Sequence, residues 1–124
     1  MSEILVYVAA GLLFAWGVSH IIPTKQVVYG FGAIGYDNRQ VITMEWIAES
    51  LAFWFVAVLV TITAISSPEA GAAALTYRVS AGFLVGIGIL TSLTGARTKV
   101  VWFKACPVVM GVCATLLVVA SFLA

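Results

Sequence analysis

The chain has 124 residues, of which 63% are hydrophobic and only 9% charged, with a formal net charge of +1. Its mean hydropathy is +1.14, and a soluble domain carries about 25% charged residues, so this composition cannot clothe a water-facing surface. A net charge this close to zero argues against nucleic acid as a partner.

Four apolar runs, about 4–22, 41–65, 70–93 and 100–124, fill nearly the whole chain. Each approaches or exceeds the roughly 20 residues that cross a hydrocarbon core. The expected fold is therefore all-α: one integral-membrane domain over 1–124, a bundle of four transmembrane helices running up-down-up-down. The helices are expected at about 4–22, 38–65, 68–94 and 100–124, with the longest connection at 23–36.

The first run reads as a retained helix rather than a signal peptide. Its leader holds Glu3 and no Lys or Arg, and its apolar run exceeds the usual ~7–15 residues of such signals. His20, the single histidine, ends it. The connection that follows is apolar and aromatic (Tyr29, Phe31, Tyr36). It contains a formal Gly-x-Gly-x-x-Gly match at 30–35. The dinucleotide fingerprint needs a strand before it and a parallel sheet around it, which nothing here supplies, so the match is a decoy. An interfacial loop is favoured over a lid across the bundle mouth.

Asp37 with Gln40 fits a capping box, placing the start of the second helix just after Asp37. Inside that helix Glu45 and Glu49 lie one turn apart on one face. A carboxylate in an apolar span costs roughly 2.5–3.5 kcal/mol on insertion scales, so each marks a functional site by default. Counting about 20 residues back from Ile65 puts the hydrocarbon boundary near Glu45 and Trp46. Glu45 then reaches headgroup water or Lys104, whereas Glu49 lies one turn deeper and needs a polar partner.

Ser67, Pro68 and Glu69 fit N-cap, N1 and N2 of the third helix, making the second and third helices a tight hairpin. Gly82 and Gly86, with Gly88 after them and Gly11 with Ala15 as an echo, suggest close helix packing in the core. Arg78 leans away from Glu49 and is expected to snorkel to the opposite interface. In the fourth helix Pro107 either sits at N1 or interrupts a longer helix begun near Thr98. Cys106 and Cys113 are seven residues apart, about 10.5 Å along a helix, too far for a disulfide. They read as small packing residues. The similar segments 23–28 and 97–101 carry little weight as a duplication.

Lys25, Arg39, Arg97, Lys99 and Lys104 flank the first and third connections, against Arg78 alone on the other side. The positive-inside rule then makes both connections cytoplasmic and both termini extracytoplasmic. A multi-pass protein of the cell membrane is expected, the inner membrane if the source is bacterial.

One end of the bundle thus gathers the candidate ligand-binding residues Glu49, Glu45, His20, Lys104 and Trp46. The expected function is a cytoplasm-facing polar pocket that binds or carries a proton or a small amphiphilic or cationic ligand. The alternatives are a non-catalytic accessory subunit of a larger membrane complex and a membrane-embedded enzyme using glutamate acid–base chemistry on a lipid-like substrate. No nucleophile motif favours an enzyme. No metal is expected, because one histidine and two glutamates lack the repeated Glu-x-x-His pattern, and no cofactor is expected either. The partners expected are the lipid bilayer and, for a chain this small, further copies or a larger complex.

Overall fold

A computed structural model of the chain describes residues 1–66 and 69–124, which are 88% helical with no strand among them. Four helices are long and apolar enough to cross a membrane. They are α1 (Ser2–Ile21), α3 (Tyr36–Ser66), α4 (Ala70–Leu93) and α5 (Val101–Leu123), joined by a short α2 (Thr24–Tyr29) and a 3-10 turn at Gly95–Arg97. By composition the molecule is a multi-pass membrane protein. With 31 residues, α3 is about 46 Å long, well beyond the ~30 Å hydrocarbon core.

The helices pack as a bundle in which α1 lies along α3 and α5, and α4 lies along α5. The core is built from Val6, Leu13, Phe53, Val60, Leu84, Met110, Cys113 and Leu117, all nearly inaccessible. Cys106 and Cys113 are buried free thiols within it. Hydroxyls survive in these apolar helices by returning their protons to carbonyls one turn back. Thr43, Thr61, Thr63, Thr76, Thr91, Ser92 and Thr115 all do so.

Several local expectations are corrected. The backbone bond Arg39 N–H to Gly35 O starts α3 earlier than a cap at Asp37 allows, and Gln40 donates to the Tyr36 hydroxyl at 2.7 Å instead of closing a capping box. The expected hairpin of the second and third spans is adjacent in sequence but packs sparsely, because α3 is committed to α1 and α4 to α5. Of its turn, Ser67 and Pro68 lie outside the described residues, and Glu69 is the N-cap rather than the second residue of α4. The small-residue step is the largest correction. A Cβ built on Gly82, Gly86 or Gly11 meets nothing within 4 Å, so these glycines face outward and do not tighten the core.

Gly88 of that group does pack, its Cβ position 3.5 Å from Met110 Cβ, but the tightest approach is made by Gly17. A Cβ there would overlap the Trp54 indole and come within 3.2 Å of Ser50 O, so a glycine is what brings α1 against α3 at this level. Trp54 is held in place by stacking on Phe14 at 5.5 Å and by donating to Phe14 O at 3.1 Å. Pro107 lies inside α5 rather than at its N1 position: the helix is the longer one, begun at Val101, three residues after Thr98.

At one end of the bundle, Arg78 donates to Ser121 Oγ at 3.1 Å and sits over the Phe122 ring at 5.1 Å. Buried Tyr77 lies at the same end, in electrostatic range of Glu3 and Tyr7.

Candidate functional site

The opposite end holds a buried histidine. His20 is 7% exposed, at the last turn of α1. Its Nδ1 lies 3.0 Å from Trp16 O, one turn back. A carbonyl only accepts, so Nδ1 carries a proton in this arrangement. The remaining nitrogen, Nε2, faces Glu49 Oε2 at 3.8 Å. That is ion-pair distance, beyond the ~2.7–3.2 Å of a direct hydrogen bond. Among the described residues it is the ion pair within 4 Å that the bundle forms.

Aromatic rings wall the imidazole on three sides. Trp46 stacks on it at 4.7 Å, Phe53 meets it edge-on at 5.4 Å and Trp16 edge-on at 5.7 Å. Trp46 does a second job. Its indole N–H donates to His20 O at 2.7 Å, and the Thr24 hydroxyl bonds His20 O at 3.1 Å and Ile21 O at 2.8 Å. These donors satisfy carbonyls that the end of α1 leaves without helical partners. Phe103 of α5 packs on Trp46 at 5.7 Å and closes the far side of the wall.

Polar capacity at this level exceeds the pair itself. Ser50 is fully buried and its Oγ has no hydrogen-bond partner; the buried Trp16 Nε1 has none either. The Cys106 thiol lies beside Trp16 and Thr91, with Glu49 in electrostatic range.

Of the five residues singled out in the sequence, His20, Glu49 and Trp46 are brought together. Glu45 is exposed one turn away and Lys104 is exposed on α5, without an ion pair between them. Phe53, Phe103 and Ser50 escaped the sequence reading. Phe53 and Ser50 could have been found, since 46, 49, 50 and 53 share one helical face. Phe103 carries no such signal, because its contact depends on how α5 packs. No group of three metal-ligating side chains occurs among the described residues. Two open apolar grooves lie elsewhere, one of about 370 Å³ between α1 and α3 around Gly11 and Ala57, and one of about 410 Å³ along α5 beside Pro107. Neither includes His20 or Glu49.

Comparison of the chain with family models, with curated proteins and with solved structures gives no match.

Proposed function

We propose that the protein is a small multi-pass membrane protein whose His20–Glu49 pair takes up and releases a proton near the cytoplasmic face of the cell membrane. The observation that carries this reading is the geometry of His20: Nδ1 is committed to Trp16 O, so only Nε2 is left to exchange a proton, and it faces Glu49. A proton rather than a larger ligand suits the tight aromatic wall, and both grooves described lie away from the pair.

The contacts at each end support an up-down-up-down course. His20, Trp46 and Phe103 bring the end of α1 and the starts of α3 and α5 together, while Arg78 joins the start of α4 to the end of α5. The basic residues flank the His20 end, and by the positive-inside rule they support a cytoplasmic His20 end with both termini outside. Glu45, exposed at the rim, acts as the outer station for the proton.

Infrared difference spectra between high and low pH, recorded on the protein in lipid, test this reading. A Glu49 carboxyl band is expected, either its carboxylate stretch shifting as Nε2 takes the proton or its own protonated form, lost in Glu49→Gln and retained in Glu45→Gln. The opposite pattern moves the functional depth to Glu45, and no carboxyl band in any variant refutes the proposal.

A second reading, an accessory subunit or oligomer-forming unit, is favoured by the outward Gly82 and Gly86 on α4, the helix that buries the smallest share of its span. It is tested by the mass of the gently extracted protein. A single copy without partner refutes it.

A further inference from the structure

We propose that the end of the protein around the His20–Glu49 pair is a binding surface for anionic lipid headgroups, with Lys25, Arg97, Lys99 and Lys104 as the phosphate-binding cations. These residues come from the first connection, the third connection and the first turn of α5, and packing collects them. Trp46 ties the end of α1 to α3 through His20 O, Phe103 ties the start of α5 to Trp46, and Gly95 of the 3-10 turn packs against Phe103 with a Cβ distance of 3.6 Å. The four cations are exposed, and none has a carboxylate within 4 Å among the described residues. Arg39, the fifth, is half-buried over the Tyr29 ring at 4.7 Å.

The charge balance selects the occupant. Only Asp37 and Glu45 present exposed carboxylates at this end, since Glu49 is turned to His20. At the other end the one basic side chain among the described residues, Arg78, is engaged by Ser121 and Phe122, and Glu3 and Glu69 are exposed. A zwitterionic surface offers the cations no net attraction, whereas an anionic one does. The same rim exposes large apolar side chains, Ile22 at 78% and Trp102 at 75%, which suit the boundary between headgroups and acyl chains. Cations for phosphates beside side chains for the interfacial layer match a lipid rather than a free anion. The inference rests on the membrane assignment but not on proton exchange.

The protein is reconstituted into vesicles of mixed phosphatidylglycerol and phosphatidylcholine, extracted gently, and its retained lipids are counted by native mass spectrometry. Phosphatidylglycerol is expected to be enriched over phosphatidylcholine. The triple variant Arg97→Gln, Lys99→Gln, Lys104→Gln lowers that enrichment by roughly tenfold or more, because three juxtamembrane charges are lost together. Arg78→Gln and Glu49→Gln leave it unchanged, which separates this surface from the proton site. Raised salt weakens enrichment in the unmodified protein, a check that does not depend on the triple variant folding. Equal retention of the two lipids, an equal loss in Arg78→Gln, insensitivity to salt, or displacement by millimolar inorganic phosphate would each overturn the proposal.

Discussion

Gly17→Ala is the substitution whose effect is most closely fixed by the structure. The new Cβ overlaps the Trp54 indole and lies 3.2 Å from Ser50 O, a backbone atom that yields only by a few tenths of an ångström. Trp54 must therefore swing away, losing its 3.1 Å bond to Phe14 O and its 5.5 Å stack on Phe14. An interhelical hydrogen bond in a membrane contributes about 0.6–1.7 kcal/mol. The aromatic pair adds about 0.5–1.5 kcal/mol. Together they put the cost near 2 kcal/mol, offset by the ~1 kcal/mol that alanine gains over glycine inside a helix. A net loss of about 1 kcal/mol is expected in detergent unfolding titrations. In a Trp54→Ala background the obstacle is gone, so Gly17→Ala should become neutral or stabilising, a coupling of about 2 kcal/mol between the two sites. Because His20 lies three residues on along the same face of α1, the single variant should also widen the His20–Glu49 separation. Additive effects of the two substitutions would refute the assignment of Gly17 as the point of close approach.

Trp46→Phe keeps a ring on His20 but removes the 2.7 Å bond to His20 O, and since Thr24 still bonds that oxygen the expected loss is about 1 kcal/mol by the same titration. Gly82→Ala and Gly86→Ala meet nothing within 4 Å, so the monomer should be unchanged or more stable by up to about 1 kcal/mol; clear destabilisation in dilute detergent would place those faces inside the bundle. Arg78→Gln should cost no more than about 1 kcal/mol, because Ser121 retains its bond to Val118 O at 2.7 Å.

The membrane class and the four long helices were legible because twenty-residue apolar runs have few alternatives. The different settings of the two glutamates were legible as well: one turn separates Glu49, beside His20, from Glu45, left exposed. What the sequence hid is which face of each helix points inward. In a water-soluble bundle polar residues mark the outside, but here the spans are apolar nearly all round, and lipid-facing Gly82 and Gly86 look the same as core-facing Gly17. A small-residue step says that two backbones can approach, not that they do. The short α2 was missed because six residues carry too little periodicity to show, and the aromatic wall from Phe103 exists only once α5 is packed.

Solid-state nitrogen NMR of His20 in lipid, followed through a pH titration, tests the proton-exchanging pair most directly. Nδ1 should remain protonated throughout, held by Trp16 O, while Nε2 alone gains and loses its proton. The midpoint of that titration should change in Glu49→Gln and stay where it is in Glu45→Gln. An Nδ1 that loses its proton, or a midpoint indifferent to Glu49, would contradict the pairing.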